Sequence, residues 1–257
     1  MNRLSLSDRW TLFVVGTGRS GTHFVTDCLI KSRDVTDLTG GKENRWLFDD
    51  VAAIATGRRP ASEVRNVIRK YRLMRLVAPT KVLVDQSHSS LWFSDELAAA
   101  IPRSRFVAMV RDPRAVVASM LQHHGVRRRT EEWQDYPFPN PFLGIDEQNR
   151  DDFERASLAG KCAYRWVAHI ERIAELLDRH PGRTTVVAYE QLVTDPLGEM
   201  ARVLAAVSAL PAEAQAYRAR PASVDKWRHQ LATTEVDEIE RIAAGATSYG
   251  RLAAAAV

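Results

Sequence analysis

The fold is decided by the stretch that reads Thr11-Leu-Phe-Val-Val-Gly-Thr-Gly-Arg-Ser-Gly-Thr22. Its apolar run is too short for a helix and stops at Gly16, which predicts a buried strand that ends there. Residues 22–31 have apolar side chains on one helical face, so a helix follows the glycine loop, residues 16–21. In a unit of this order, the loop amides and the helix dipole form a site for an anion.

Three further apolar runs have the pattern of buried parallel strands. They are Lys81-Val-Leu-Val-Asp85, Arg105-Phe-Val-Ala-Met-Val110 and Thr184-Thr-Val-Val-Ala188. Helical periodicity covers residues 63–76, 91–100, 113–123 and 158–179. This alternation predicts an α/β fold of three P-loop-like layers, with a central, mostly parallel sheet of about four to five strands flanked by helices.

We expect residues 1–257 to form one domain, with a core at about 12–251, because an α/β domain of 250 residues can remain undivided. Apolar residues make up 45% of the chain and charged residues 26%, as is typical of globular proteins. Residues 125–150 contain three prolines among charged and aromatic residues, which predicts a loop or lid rather than a linker.

The charge balance suits an anionic ligand, since 36 lysines and arginines face 32 aspartates and glutamates, a net charge of +4. This small excess does not require nucleic acid. Cys28 and Cys162 are far apart and form no disulfide or zinc motif, which favours a reducing compartment. The sequence contains neither a bilayer-length apolar run of about 20 residues nor a signal-peptide core, so we expect a cytoplasmic protein.

The glycine loop formally matches the dinucleotide pattern G-x-G-x-x-G but lacks the context of that motif, and it does not match a Walker A loop. A dinucleotide fold needs a second strand that ends in an acid about 20 residues later, and no apolar strand precedes Asp37. A Walker A loop has lysine and then serine or threonine where this chain has Thr22 and His23. Arg19 and Ser20 instead place a fixed cation and a hydroxyl in the loop, which suits an oxyanion that needs no metal.

A second anion site is predicted where the strand ending at Val110 is followed by Arg111-Asp-Pro. Asp112 is suited to cap the next helix, and proline is favoured as its first residue. Arg111 then lies at the carboxyl end of a parallel strand, where open α/β sheets bind ligands. Ser119 follows two turns into the helix.

Together these motifs resemble the sulfotransferases that use 3′-phosphoadenosine 5′-phosphosulfate (PAPS). The glycine loop is similar to their loop for the 5′-phosphosulfate, and Arg111 with Ser119 is similar to their 3′-phosphate motif. The likeness runs from about Leu12 to Arg251, although Gln86 stands where the family commonly has lysine. Other similar segments are Asp85-Gln-Ser-His88, Tyr189-Glu-Gln-Leu-Val-Thr-Asp-Pro196, Lys226-Trp-Arg228 and Tyr249-Gly250.

The resemblance implies metal-independent transfer of a sulfuryl group from PAPS to a hydroxyl or amine of a sugar, a lipid or another small molecule. Arg19 is expected at the bridging oxygen of the leaving phosphate. Backbone amides are expected to hold the other oxygens; they belong to Ser20, Gly21, Thr22 and His23. The alternatives are a P-loop-like kinase that uses Mg-ATP and a nucleotide-binding module without catalysis.

The resemblance also suggests residues for the base and for the rest of the nucleotide. Glu43 and His88 are both candidates for the general base, and Glu43 is preferred. Tyr189 is expected near the adenine. Residues 226–228, which are Lys226, Trp227 and Arg228, are expected to close over the nucleotide.

The acceptor remains open at this stage. Aromatic and basic residues of the 125–150 stretch are candidates for an acceptor cleft or, alternatively, for anchors of a surface loop. They are Arg127, Arg128, Arg129, Trp133, Tyr136, Phe138 and Phe142. Acidic residues follow the arginines at once, which argues against nucleic acid.

Overall fold

Five parallel strands form the centre of the protein in a computed structural model that describes residues 9–37 and 45–256. The strands are β1 (Trp10–Gly16), β2 (Val35–Asp37), β3 (Val82–Asp85), β4 (Ser104–Val110) and β5 (Thr184–Ala188). Their order across the sheet is β2-β3-β1-β4-β5, and every neighbouring pair is parallel. The predicted parallel α/β sheet is therefore confirmed.

Helices connect the strands and follow the last one. In the described part of the chain they are α1 (Thr22–Leu29), α2 (Arg45–Ala55), α3 (Val64–Val77), α4 (Ser94–Ala100), α5 (Pro113–Leu121), α6 (His124–Glu131), α7 (Arg150–Arg155), α8 (Leu158–Arg179), α9 (Tyr189–Thr194), α10 (Pro196–Ala205), α11 (Thr233–Ala243) and α12 (Tyr249–Ala255). The helix predicted at residues 158–179 has those bounds. The helix predicted from residue 91 begins at Ser94 instead, because residues 91–93 belong to a 3₁₀ turn, His88–Phe93.

The sheet has a hydrophobic core on each face because successive side chains of a strand point to opposite sides. Phe13 and Val15 of β1 are buried in the core that contains α3, α5 and α8. Leu12 and Val14 are buried in the other core, which contains α1 and α10. This arrangement of helices, sheet and helices confirms the three predicted layers.

The short strand β2 was not found in the sequence, because a strand of three residues with one buried apolar side chain shows no periodicity. It lies at the edge of the sheet, where Thr36 pairs with Leu83 of β3. The hydroxyl of Thr80 also donates to Oγ1 of Thr36 at 2.8 Å. Backbone pairing and this contact, rather than an apolar pattern, define the strand.

Residues 125–150 differ from the predicted loop or lid. Helix α6 occupies the first part, since the ring of His123 accepts a hydrogen bond from the amide of Val126 at 3.3 Å and caps the helix. An ion pair of 2.8 Å between Arg127 and Glu131 supports its exposed face. The second part is anchored by a buried cluster that comprises Tyr136, Phe142, Leu143, Ile145 and Phe153.

Two connections leave the sheet on opposite sides. Helix α1 follows β1 and packs in one core, whereas α5 follows the neighbouring β4 and packs in the other. The carboxyl ends of β1 and β4 therefore border a crevice of the kind in which open α/β sheets bind ligands. Among the described helices, none is long and apolar enough to cross a membrane.

Candidate active site

The glycine loop connects β1 to α1 and begins where Gly16 pairs with Met109 of β4. Ser20 fixes the loop from inside, because its amide and its hydroxyl both donate to the carbonyl oxygen of Thr17, at 3.0 and 2.6 Å. The sequence prediction gave both groups to the ligand. In the structure both groups hold the loop in shape, and a contact of Ser20 with the ligand stays a prediction.

Backbone conformation at two residues shapes the remainder of the loop. Gly21 has a φ of +101°, and a Cβ atom there would lie 2.4 Å from Cδ2 of Tyr189, so only glycine fits. Arg19 is also in the left-handed region, with a φ of +80°. The amides of Thr22 and His23 begin α1, and helix geometry gives them no carbonyl one turn earlier, so they are donors suited to an anion.

The two predicted anion motifs are joined by direct contacts. Nε of Arg19 donates to the hydroxyl of Ser119 at 3.1 Å, and a terminal nitrogen of Arg111 donates to the carbonyl oxygen of Arg19 at 3.1 Å. The guanidinium of Arg111 also stacks on the ring of Tyr189, 3.9 Å from its centroid. Burial lowers the pKa of both arginines. A bound anion would stabilise the charged form of each arginine, because it replaces part of the hydration that burial removes.

These residues line one pocket of about 330 Å³, the loop pocket. Its predicted members are Arg19, Gly21, Thr22, His23, Arg111, Ser119 and Tyr189. Sequence reasoning missed three others, which are Phe24, Asp27 and Arg220. Phe24 had a local signal, since it is an aromatic residue in the first turn after the loop. Arg220 had none, because it reaches the ring of Phe24, at 4.7 Å, from a distant part of the chain.

Residues 226–228 do not line the loop pocket. Trp227 is buried in a small cluster with Ala115 and Ala118 of α5, and the guanidinium of Arg114 lies 4.3 Å from the centroid of its ring. Lys226 and Arg228 are exposed. Trp227 thus packs as a core residue, and a contact of this segment with nucleotide stays a prediction.

The structure describes one of the two candidate bases, His88. Glu43 lies outside the described residues. His88 is half-buried at the start of the 3₁₀ turn, and its Nε2 is enclosed without a hydrogen-bond partner. Burial, and then the charge of Arg165, hold the pKa of His88 well below its usual value. The imidazole is therefore neutral at neutral pH.

Some of the candidate acceptor residues are buried in the protein, and others lie on its surface. Tyr136 and Phe142 are buried, whereas Phe138 is exposed. Arg127 is exposed and paired with Glu131. The buried aromatics match the alternative interpretation in which they anchor this segment.

A sequence profile of the sulfotransferase family matches residues 11–209, which include the glycine loop, Arg111, Ser119 and Tyr189. The chain belongs to the sulfotransferase family. Membership implies a transferase that moves a sulfuryl group. The described part of this sulfotransferase contains no group of three histidine, cysteine, aspartate or glutamate residues close enough to hold a metal ion.

Solved structures with the same fold include three bacterial sulfotransferases. The sulfotransferase domain of the curacin biosynthetic pathway has a TM-score of 0.59 at 15% identity, over 92% of this chain and 96% of that one. The sulfotransferase domain of the Synechococcus PCC 7002 olefin synthase has a TM-score of 0.55 at 15% identity, over 94% of this chain and 98% of that one. The sulfotransferase STF1 from Mycobacterium tuberculosis H37Rv has a TM-score of 0.54 at 15% identity, over 93% of this chain and 77% of that one. No curated protein matches the chain. The similarity supports the P-loop-like fold.

Proposed function

We propose that this sulfotransferase uses PAPS as the donor and a hydroxyl or amine of a small molecule, glycan or lipid as the acceptor. The observation that carries the proposal is the set of contacts between Arg19, Ser119 and Arg111, which brings the two predicted anion motifs together in one pocket. A nucleotide with phosphate groups at both its 3′ and 5′ positions needs two such sites.

The donor fits the residues of the loop pocket. Amides of Thr22 and His23 suit the 5′-phosphosulfate at the start of α1. Arg111 and Ser119 suit the 3′-phosphate, and Nε of Arg111 is buried without a partner, as expected of a group that awaits an anion. Tyr189 and Phe24, whose rings contact each other edge to face, line the same pocket, and we place the adenine beside them.

The chemistry requires positive charge where the leaving group gains electrons. The acceptor oxygen or nitrogen attacks sulfur, the bond from sulfur to the bridging oxygen breaks, and its electron pair stays on the bisphosphate. Arg19 stabilises that oxygen as charge develops on it. Because a guanidinium keeps its proton, Arg19 acts by charge and hydrogen bonding and not as a general acid.

The proton of the acceptor passes to a base. His88 is neutral but has a lowered pKa, so it binds a proton weakly. The weak proton affinity of His88 counts against it, and we propose Glu43, to which the family resemblance points, for this role.

Ligand-induced stabilisation tests the donor. Adenosine 3′,5′-bisphosphate at 100 times its dissociation constant should stabilise the protein by about 2.7 kcal/mol, and labelled PAPS should yield a sulfated product with a suitable acceptor. Stabilisation by Mg-ATP but not by the bisphosphate would favour the kinase. Binding of the bisphosphate without transfer to any member of a broad acceptor panel would favour a non-catalytic module.

A further inference from the structure

Arg165 is a buried cation without a hydrogen-bond or ion-pair partner among the described residues. Arg165 of α8 is 1% exposed, and none of its three guanidinium nitrogens makes a hydrogen bond. The ring of Phe142 lies 4.5 Å from the guanidinium carbon. That contact satisfies the flat face of the guanidinium and leaves its in-plane N–H groups without an acceptor. A buried, unpaired donor set of this kind is rare and needs an explanation.

The guanidinium of Arg165 lies against the glycine loop. A Cβ atom at Gly18 would be 3.3 Å from a terminal nitrogen of Arg165 and 3.0 Å from Nε2 of His88. Nε2 of His88 is likewise buried without a partner. Gly18 directly precedes Arg19, which lines the loop pocket. Two unpaired nitrogen groups therefore meet beside the end of the pocket where the group to be transferred is expected.

The charges around Arg165 are positive. Arg129 of α6 lies over the same Phe142 ring, 5.7 Å from its centroid, and its Nε is also buried without a partner. Burial, and then the charge of Arg129, lower the pKa of Arg165 to about 9, so it stays charged at neutral pH. Among the described residues, no carboxylate forms an ion pair with Arg165 or Arg129.

His169, one turn further along α8, cannot supply the missing acceptor. Its Nδ1 is 2.8 Å from the carbonyl oxygen of Arg165, and its Nε2 accepts from Nε1 of Trp92 at 3.2 Å. Burial lowers the pKa of His169 to about 3, so the ring carries one proton, which Nδ1 donates to the carbonyl. Both ring nitrogens are therefore used.

We propose that Arg165, with Arg129 and beside His88, forms a further oxyanion site on the Gly18 side of the glycine loop, distinct from the two phosphate subsites. Its ligand is a sulfonate or carboxylate oxyanion, which is either the sulfuryl group in transfer or an acidic group of the acceptor. That the oxyanion comes from the sulfuryl group or from the acceptor rests on the proposed function. The planar guanidinium fork binds two oxygens of such a group at once.

Inorganic sulfate is the probe, titrated by calorimetry into protein saturated with adenosine 3′,5′-bisphosphate, which fills the phosphate subsites. The wild type should bind sulfate saturably. Arg165→Gln should weaken this binding about tenfold or more, and Arg165→Lys, which keeps the charge without the fork, should weaken it less. Arg179→Gln is the control, because Arg179 lies on the same helix but is paired with Asp95 and Glu175.

Two further measurements identify the source of the oxyanion. If it is the sulfuryl group, Arg165→Gln lowers the affinity for PAPS relative to the bisphosphate. If it belongs to the acceptor, this ratio is kept, and the variant loses the preference for hydroxy acids over their methyl esters in turnover. If Arg165→Gln does not fold, Arg129→Gln on the surface helix α6 replaces it in these measurements, with the same results expected.

The outcome that overturns the proposal is equal sulfate affinity in the wild type and in Arg165→Gln, or in Arg129→Gln if Arg165→Gln does not fold, with an unchanged PAPS ratio and acceptor preference. The proposed function fails separately, if the bisphosphate does not bind the wild type. Sulfate binding that depends on Arg165 would then still support the oxyanion site.

Discussion

Replacement of Arg111 by methionine tests the assignment of the 3′-phosphate site. Methionine keeps a long apolar side chain against Tyr189 and removes the charged donors. Loss of a charge-assisted contact to phosphate costs about 1.5–3 kcal/mol, which weakens binding of adenosine 3′,5′-bisphosphate about 10- to 150-fold. The variant also loses its hydrogen bond to the carbonyl oxygen of Arg19, which costs about 1 kcal/mol.

The two contributions separate when two nucleotides are compared by calorimetry. Adenosine 5′-monophosphate lacks the 3′-phosphate, so Arg111→Met should weaken its binding only through the loop, by about fivefold or less. Arg114→Met is the matched control. Arg114 follows three residues later, pairs with Asp112 and Glu240 outside the loop pocket, and should change either affinity about twofold at most.

The ratio of the two affinities decides the result. An equal loss for both nucleotides would mean that Arg111 acts by holding the glycine loop and does not contact the 3′-phosphate. Unchanged affinity for both would refute its place in the site.

Three other predictions address the loop, the base and acid stability. Gly21→Ala should destabilise the fold by about 1–3 kcal/mol and weaken bisphosphate binding in calorimetry, whereas Gly250→Ala, with open space around it, should do neither. Glu43→Gln should lower kcat about 100-fold with bisphosphate affinity kept in steady-state assays; if His88→Asn alone does this, the roles are exchanged. The pKa of His169 is about 3 in the fold and about 6.5 when unfolded, so below pH 6.5 the unfolded state binds a proton that the folded state does not. This group should therefore make the free energy of unfolding, measured by denaturant titration, about 2 kcal/mol smaller at pH 5 than at pH 7.5. If His169→Gln leaves the pH dependence of that free energy unchanged, the prediction is contradicted.

The sheet could be predicted from the sequence because its main strands are covered on both faces. Both sets of alternate side chains in β1 are buried, so the strand is a continuous apolar run. The edge strand β2 is too short for such a pattern. Helix α6 was missed because Val126 is one of only two buried residues in it, so a cap and surface ion pairs stabilise it instead of an apolar stripe.

The residues of the candidate site also divide into those that the sequence could predict and those that it could not. The glycine loop and Arg111 could be identified because each belongs to a short motif next to a strand end. Arg220 and Arg165 could not, because their contacts with Phe24 and Gly18 join segments that are far apart in the chain. No periodicity or spacing encodes such a contact. It exists only when the sheet has brought those segments together.

The hydrogen bond between Arg19 and Ser119 spans 100 residues of sequence. Neither β1 with its loop nor β4 with its helix contains a complete loop pocket, so if the proposed function is correct, a fragment that lacks one of them should not bind the nucleotide. Nucleotide binding should thus report on assembly of the central sheet, and amide exchange in β1, β4 and β5 should slow together when the bisphosphate is bound.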